Sequence, residues 1–237
     1  MRNRLDLGIE EVLDRIGEAL QQEQPFSLVR IGDGENLVMA QEKLWPLERV
    51  LEERWAVKAN KGHKGLTLPN LELRDAVVDS VRRADVVGIL RHEDETIKAP
   101  RYLKRELTDQ IFDFYGLAPA FTCDACLNRK LATSERFWEL LRGKRILLVT
   151  REVGAVQPVL ESTKYGMNIV QTIAFDGYHQ MKETLEWMAS AAGRFDVALF
   201  SCGVNAVVLA QRTAELTGAV ALDFGKAINI IVYGKPN

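Results

Sequence analysis

Apolar side chains recur at helical spacing near the start of the chain and then give way to a continuous apolar run. Between residues 8 and 22 the apolar positions repeat every three or four residues, which predicts an amphipathic opening helix. Pro25 ends that stretch, and residues 26–31 (FSLVRI) form an apolar run typical of a short strand. Gly32 and Gly34 interrupt this run, and a helical pattern resumes after them. The chain therefore begins with the order helix, strand, helix.

Strand and helix patterns alternate through the rest of the chain. Apolar, β-branched runs of strand length occur at 85–90, 145–150, 168–175, 196–201 and 219–224, with a last run at 228–234 that predicts an edge strand. Helical patterns lie between them at 102–115, 153–164, 179–192 and 205–217. Because buried strands that alternate with helices form parallel sheets covered on both faces, the sequence predicts a Rossmann-like α/β fold with a mostly parallel sheet.

Two segments interrupt this regularity without dividing the chain. Residues 47–84 predict two or three helices around a polar loop at 58–70, and residues 116–135 predict a loop. No linker rich in proline, glycine or serine occurs, and the sequence has no internal repeat. We therefore expect a single domain over residues 1–237, a length within the range of one large α/β domain.

Composition and charge are those of an ordinary globular protein. Hydrophobic residues make up 47% and charged residues 27% of the chain, and the formal net charge is −2. Nucleic-acid-binding proteins usually carry a basic excess, so this balance argues against a nucleic-acid partner. No apolar run approaches the ~20 residues that span a bilayer, and the N-terminus lacks the apolar segment of a signal peptide. We expect a cytoplasmic protein without a transmembrane segment, in which the three cysteines are reduced.

Small and acidic residues follow the strand at 26–31, at the edge where open α/β sheets bind ligands. Asp33 and Glu35 lie beside a helix start, and two such carboxylates can hold a divalent cation that in turn holds a diphosphate. Gly32 and Gly34 permit tight backbone and let a ligand approach the main chain. Arg30 can pair with a phosphate or steady the carboxylates. The alternative is a turn in which Asp33 or Glu35 only caps the helix, and spacing alone leaves both interpretations open.

Further candidates follow the later strands or lie in polar loops. Ser201, Gly203 and Asn205 form a strand-to-helix turn that suits a phosphate or ribose, although close packing explains these small residues equally well. Asp223 lies at the end of the next strand and Lys226 follows it, where they can contact a ligand or form a surface ion pair. The loop residues that can clamp an anion or remain solvated include Lys58, Asn60 and Lys98.

Several signatures of nucleotide and metal sites are missing from the sequence. No G-x-G-x-x-G follows a strand, and neither G-x-x-x-x-G-K-[ST] nor G-x-S-x-G occurs. The lone C-x-x-C at Cys123 and Cys126 has no second ligand pair for a structural zinc, so we interpret it as coincidence. A nucleotide-binding sheet that lacks these signatures but carries D-x-E indicates a phosphate held through a metal.

The run FSLVRIGDGENLV, in which R-x-G-D-G-E follows an early strand, resembles bacterial glycosyltransferases of the GT-D fold. A late D-x-G after a strand, here Asp223-Phe224-Gly225, supports the resemblance, which extends over most of the chain. The resemblance implies transfer of a sugar from a UDP-sugar to an unknown glycan or protein-glycan acceptor, assisted by Mn²⁺ or Mg²⁺. It also implies that Asp33 and Glu35 engage the metal and the diphosphate. Lys226 stands where the family more often has a histidine or an aromatic residue.

The resulting hypothesis is a metal-dependent glycosyltransferase that acts on an acceptor hydroxyl. Asp33 and Glu35 are the expected metal ligands and catalytic residues, with Asp223 as the base for the acceptor. The residues expected to bind the nucleotide sugar are Arg30, Gly32, Gly34, Lys58, Asn60, Lys98, Ser201, Gly203, Asn205 and Lys226. Two rival hypotheses are a non-catalytic module that binds a nucleotide or sugar phosphate, and a metal-dependent phosphohydrolase or nucleotidyl enzyme.

Overall fold

A single parallel sheet forms the centre of the computed structural model, which describes residues 5–235. Within that range its strands are β1 (Leu5–Leu7), β2 (Phe26–Ile31), β3 (Val86–Ile89), β4 (Phe121–Asp124), β5 (Arg145–Thr150), β6 (Asn168–Ala174), β7 (Val197–Ser201) and β8 (Val220–Asp223). Their order across the sheet is β1-β4-β3-β2-β8-β7-β5-β6. The predicted α/β class is confirmed. The predicted domain also includes residues 1–4 and 236–237, which lie outside the described residues.

Helices cover both faces of this sheet. One face carries α2 (Asp33–Ala40), α5 (Leu71–Arg83), α6 (Arg105–Tyr115), α10 (Met181–Ser190) and α11 (Asn205–Thr217). The other carries α1 (Ile9–Gln22), α7 (Leu127–Thr133), α8 (Glu135–Leu141), α9 (Val153–Glu161) and α12 (Ala227–Tyr233). The connections contain α3 (Leu47–Glu52), α4 (Arg54–Lys58) and single turns at Ala59–His63, Arg101–Leu103 and Tyr178–Gln180. No helix in the described range has both the length and the apolar character needed to cross a membrane.

The alternation of side chains along each strand builds two hydrophobic cores. In β2, Val29 and Ile31 belong to the core beneath α5 and α11, whereas Phe26 and Leu28 belong to the core beneath α1 and α12. All four side chains are buried, and burial of each such apolar side chain contributes roughly 1.5–3 kcal/mol. The continuous apolar run in the sequence therefore reflects a strand covered on both sides.

Residues 228–234 do not form the predicted edge strand, because this segment belongs to the helix α12. Ala227, Ile228 and Ile231 are its buried residues and form a stripe at helical spacing against the second core. Gly234 ends the helix in the left-handed conformation, with φ of 70°. A short apolar run is compatible with either a strand or a helix, so periodicity alone could not distinguish them here.

Residues 116–135 were predicted as a loop, and this prediction is wrong because they carry β4 and α7. The strand has 4 residues and the helix 7, which is too few for either period to show. The short strand β1, which pairs with β4, was not predicted either. This region brings α7 beside the carboxyl ends of the strands, so its misassignment affects the site.

The carboxyl ends of the central strands meet along one edge of the sheet. β2 and β8 are neighbours there, flanked by β3 and β7. Since all four strands run parallel, the segments that follow them lie on the same side of the sheet. The turn at 32–35 after β2 therefore faces the turn at 224–226 after β8.

Candidate functional site

A buried ion pair joins the end of β2 to the end of β8. The guanidinium of Arg30 donates to the carbonyl oxygen of Asp223 (2.8 Å) and to its carboxylate oxygen Oδ1 (2.7 Å). A third hydrogen bond from Arg30 reaches the carbonyl oxygen of Ala125 after β4 (3.2 Å). The carboxylate that Arg30 binds is therefore that of Asp223, and not those of Asp33 or Glu35, which the sequence suggested as its partners.

Asp223 does not have the geometry of the base that the sequence hypothesis assigned to it. Its side chain is 2% exposed, and Oδ1 already accepts from Arg30. Burial raises the pKa of Asp223, and the charge and hydrogen bonds of Arg30 oppose this effect. A carboxylate enclosed in this way cannot reach an acceptor hydroxyl, so Asp223 is a positioning residue for Arg30.

Two glycines provide the space that Arg30 occupies. A Cβ atom added to Gly225 would lie 1.9 Å from Nη2 of Arg30, and Gly225 also has a φ of 47°. A Cβ added to Gly88 in β3 would lie 3.0 Å from Cγ of Arg30. The D-x-G sequence after β8 is therefore explained by the ion pair, with the aspartate as partner and the glycine as the space for the guanidinium.

Glu35 caps the helix α2 at its first turn. Its Oε2 accepts a hydrogen bond from the backbone N–H of Gly32 (2.9 Å), so the capping alternative left open by the sequence is realised at this residue. Burial, followed by the charges of Asp223 and Asp33, raises the pKa of Glu35 to about 7. A bound cation would favour the charged form of a carboxylate whose pKa is raised by neighbouring acids.

Gly34 accommodates a tryptophan and not the close approach of a ligand that the sequence predicted. The indole of Trp55 in α4 lies against it, and a Cβ added to Gly34 would come within 2.5 Å of the ring atom Cζ2. Gly34 is itself buried. The two glycines of G-D-G thus serve the protein's own packing, since a Cβ at Gly32 would lie 3.1 Å from Oε2 of Glu35.

Replacing Gly34 with alanine should lower the free energy of unfolding by about 1–3 kcal/mol, the usual cost of overpacking. The added methyl group has no room beside the Trp55 ring. Gly154→Ala in α9 is a matched control, because a Cβ there meets no atom within 4 Å. The control should stabilise the protein by about 0.5–1 kcal/mol, as alanine does in a helix. Urea unfolding compares the two variants, and equal changes would contradict the packing explanation.

The turn after β7 is fixed by hydrogen bonds to its neighbours. Ser201 donates from Oγ to the carbonyl oxygen of Gly225 (2.7 Å), and Gly203 adopts a positive φ of 60°. Asn205 donates from Nδ2 to the carbonyl oxygen of Gly65 (3.1 Å), whereas its Oδ1 is buried without a hydrogen-bond partner. The three predicted ligand residues of this turn therefore lie at the site edge, but Ser201 and the amide nitrogen of Asn205 are already engaged. Their contact with a nucleotide stays a prediction.

The polar loop at 58–70 is anchored to the turn after β7 through Gly65. The carbonyl oxygen of Gly65 accepts from the backbone N–H of Tyr178 (2.8 Å) as well as from Asn205. Asn60 holds the loop internally, because its side-chain amide both donates to and accepts from the backbone of Leu68 (2.9 and 2.7 Å). This use of Asn60 is structural and differs from the predicted ligand contact. The anchored loop carries Lys58 and Lys64 to the site.

Three other cations act electrostatically on Lys226, which follows β8 at the carboxyl edge of the sheet. Loss of solvent around its ammonium group lowers the pKa of Lys226, and the charge of Lys64 lowers it next. Arg129 and Lys58 add to this effect, whereas Asp33 opposes it. We call Lys58, Lys64, Arg129 and Lys226 the cationic cluster. Such a concentration of positive charge beside a carboxylate attracts a multivalent anion.

Arg129 is a member of this cluster that the sequence did not suggest. It lies in α7, within the segment predicted as a loop. Its neighbour Asn128 donates from Nδ2 to the carbonyl oxygen of Phe224 (2.8 Å), which ties α7 to the end of β8. The C-x-x-C pattern at Cys123 and Cys126, just before α7, gave no indication that Arg129 belongs to the site.

Lys98 does not join the cationic cluster, although the sequence placed it in the site. It lies exposed on the loop after β3, and its charge is not among the main influences on the pKa of Lys226. That loop is held by a different lysine, since Lys104 donates to the carboxylate (3.0 Å) and the carbonyl oxygen (2.6 Å) of Asp94. Both side chains are at least nine-tenths buried.

Asp33 and Glu35 could supply two ligands to a divalent cation whose remaining ligands come from water and a bound phosphate, and not from further side chains. Within residues 5–235, no three histidine, cysteine, aspartate or glutamate side chains lie close enough together to hold a metal ion. Mg²⁺ commonly takes one or two carboxylates and completes its coordination with water and substrate phosphates. The donor set of two neighbouring carboxylates beside the cationic cluster is consistent with that arrangement.

Among the described residues, the three cysteines form no disulfide bond, and burial keeps their thiols protonated. Cys123, Cys126 and Cys202 are all free thiols. Burial raises the pKa of Cys123 to about 12 and raises those of the other two thiols as well. None of the three is therefore activated as a thiolate nucleophile.

Comparison with known proteins relates this architecture to one family. A family model described as a GT-D fold-like domain matches residues 7–231. A selenomethionine-substituted structure of domain of unknown function 1792 is similar with a TM-score of 0.59 at 17% identity, over 96% of this chain and 80% of that one. A second structure of that domain, described as having a distinct glycosyltransferase fold, has a TM-score of 0.59 at 18% identity, over 94% and 79%. No curated protein sequence matches the chain.

Proposed function

The chain belongs to the GT-D-like family, and we propose that it is a metal-dependent glycosyltransferase that transfers a sugar from a UDP-sugar to an acceptor hydroxyl. The fold is of glycosyltransferase type. The observation that carries the proposal is the cationic cluster facing Asp33 at the carboxyl edge of the sheet. This edge is where open α/β sheets bind nucleotides.

The cationic cluster is suited to the diphosphate of the donor. Bond cleavage leaves UDP with additional negative charge, and cations already in place stabilise that charge without rearrangement. Lys226 and Arg129 come from two segments whose backbones are tied together by the hydrogen bond from Asn128 to Phe224. Lys58 at the end of α4 and Lys64 in the anchored loop add two more cations.

Asp33 and Glu35 are the residues that would hold the divalent cation. When bound, Mn²⁺ or Mg²⁺ supplies Lewis-acid stabilisation of the diphosphate leaving group. Arg30 keeps the turn carrying both carboxylates aligned with β8, because it joins the two strand ends. The backbone at Gly203, in the turn before α11, would contact the ribose or a phosphate, whereas Asn205 is buried and would support that turn through its bond to Gly65.

A thermal-shift screen with product analysis tests this function. UDP and UDP-sugars should raise the unfolding midpoint, and more so with Mn²⁺. A ligand at a hundredfold excess over its dissociation constant raises the free energy of unfolding by roughly 2.7 kcal/mol. Asp33→Ala should abolish the part of the thermal shift that depends on Mn²⁺. Asp113 is an exposed carboxylate in α6, and Asp113→Ala should leave that part of the shift intact. Release of UDP identifies sugar transfer, and release of UMP or pyrophosphate identifies nucleotidyl chemistry. UDP binding without turnover would favour a binding module, and no shift with any nucleotide would refute the proposal.

Neutralising the cationic cluster should weaken UDP binding by about ten- to hundredfold for each residue, the usual value of a charge-assisted hydrogen bond. Arg129→Gln and Lys226→Gln are the informative variants, and calorimetry with UDP and with uridine measures the effect. The loss should be confined to UDP, because uridine carries no phosphate. Lys98→Gln is the matched control and should bind as the unaltered protein does. Equal losses for UDP and uridine would show that the cations do not contact phosphate.

A further inference from the structure

Trp55 lies beside the D-x-E turn, at the margin of the first core rather than inside it. The edge of its indole that carries Nε1 lies against Gly34, and a Cβ at Gly34 would be 2.8 Å from Nε1 itself. Gly34 stands between Asp33 and Glu35 in the sequence. The indole nitrogen is thus held next to the turn that carries the two carboxylates.

The N–H group of this indole is an unused hydrogen-bond donor. Among the described residues no protein acceptor receives a hydrogen bond from Trp55, and its nitrogen is not among the buried atoms that lack a partner. Trp55 is partly exposed, so the N–H reaches solvent. Trp138 provides the contrast, because it is buried and donates to the carbonyl oxygen of Ala132 (3.0 Å).

A member of the cationic cluster lies over the same ring. Nζ of Lys64 is 5.7 Å from the ring centroid of Trp55, which is the range of a cation–π contact. Lys64 precedes Gly65, whose anchoring fixes the loop. An ammonium group therefore lies over the ring whose Nε1 edge is against Gly34.

We propose that Trp55 is a ligand-contacting residue of the donor site, and that its Nε1–H donates a hydrogen bond to an anionic oxygen of the UDP diphosphate. The inference rests on the proposed function, since it assumes a diphosphate between the D-x-E turn and the cationic cluster. It also gives G-D-G a functional meaning. Gly34 is the residue that allows the indole to approach the turn closely enough to share the ligand of Asp33 and Glu35.

Intrinsic tryptophan fluorescence tests this contact directly. Trp45 and Trp138 are buried, so the partly exposed Trp55 and Trp187 are the tryptophans open to a change of surroundings. Titration of the protein with UDP and Mn²⁺ should change the emission. Trp55→Phe should abolish that change, and Trp187→Phe, the matched control in α10, should retain it. An unchanged emission during UDP binding that calorimetry detects would overturn the inference and leave the proposed function standing.

Calorimetry on Trp55→Phe separates the hydrogen bond from a packing effect. Phenylalanine retains an aromatic ring and removes the N–H, so UDP should bind about ten- to hundredfold more weakly while uridine binding is unchanged. Unchanged UDP binding, or an equal loss for UDP and uridine, would overturn the inference. If calorimetry detects no UDP binding to the unaltered protein, the proposed function fails and this inference fails with it.

Discussion

Replacing Arg30 with methionine should lower the free energy of unfolding by about 3–5 kcal/mol, the cost of breaking a buried ion pair from one side. The exchange leaves the carboxylate of Asp223 2% exposed and without its cation. It also removes the three hydrogen bonds that join β2 to β8 and to the backbone after β4. Urea unfolding at neutral pH measures the loss.

Two further variants distinguish an uncompensated charge from a loss of packing. Arg30→Met combined with Asp223→Asn removes both charges and should restore part of the stability, because the remaining amide is far less costly to bury than a carboxylate. Arg30→Lys should retain only part of the stability of the unaltered protein, since a single ammonium cannot reproduce the planar fork of the guanidinium.

An exposed ion pair provides the control for Arg30. Arg136 contacts Glu10 and Asp14 on the surface between α8 and α1. Solvent screens such pairs, so Arg136→Met should change the unfolding midpoint little. If Arg30→Met and Arg136→Met have equal effects, the buried pair is not what holds the central strands together.

The strands and long helices could be predicted because their burial leaves a regular pattern. The run at 26–31 is apolar on both faces because Val29 and Phe26 belong to different cores. Short elements leave no such pattern, which is why β4 and α7 were predicted as a loop. The run at 228–234 was apolar enough for a strand, and only the contact of Ile228 and Ile231 with one core identifies it as a helix.

The family and the D-x-E turn could be predicted, but the contacts around that turn could not. The GT-D resemblance is confirmed by the family match over residues 7–231. The sequence predicts Arg30 as a site residue, but not that Asp223 is its partner. Asp223 lies nearly two hundred residues away and is brought near by the pairing of β2 with β8. Trp55 belongs to no motif, so its contact with Gly34 exists only in the folded chain. A glycine inside β3, Gly88, was the one sequence signal of a large side chain crossing the strand.

Replacing Glu35 with glutamine should stabilise the protein at pH 8 by about 1–3 kcal/mol and leave its stability at pH 4 nearly unchanged. Burial and then the charge of Asp223 raise the pKa of Glu35 from 4.5 to about 7 in the folded protein. The folded state therefore favours the neutral acid. This contribution to stability is fully present below pH 4.5, is lost as the pH rises, and is gone above about 7. Glutamine stays neutral throughout, and its oxygen can still accept from the N–H of Gly32.

Thermal unfolding at the two pH values, with a chelator present, measures this difference. The chain contains a matched control, because Glu11 caps α1 through the N–H of Gly8 (2.6 Å) at an exposed position. Glu11→Gln should not gain stability at pH 8, since its carboxylate is not desolvated. A gain at pH 8 shared by both variants would mean that removal of a surface charge, rather than burial of Glu35, is responsible.

The expected gain bears on why an acid stands at position 35. If the residue served only as a cap, glutamine would do so without the cost of a buried charge near Asp33 and Asp223. A carboxylate that lowers stability at neutral pH is explained if its charge binds a ligand. Perturbed pKa values of this kind are common at functional sites. Glu35→Gln should therefore lose Mn²⁺-dependent binding of UDP while it gains stability. A variant more stable at pH 8 that still binds UDP and Mn²⁺ normally would remove Glu35 from the proposed metal site.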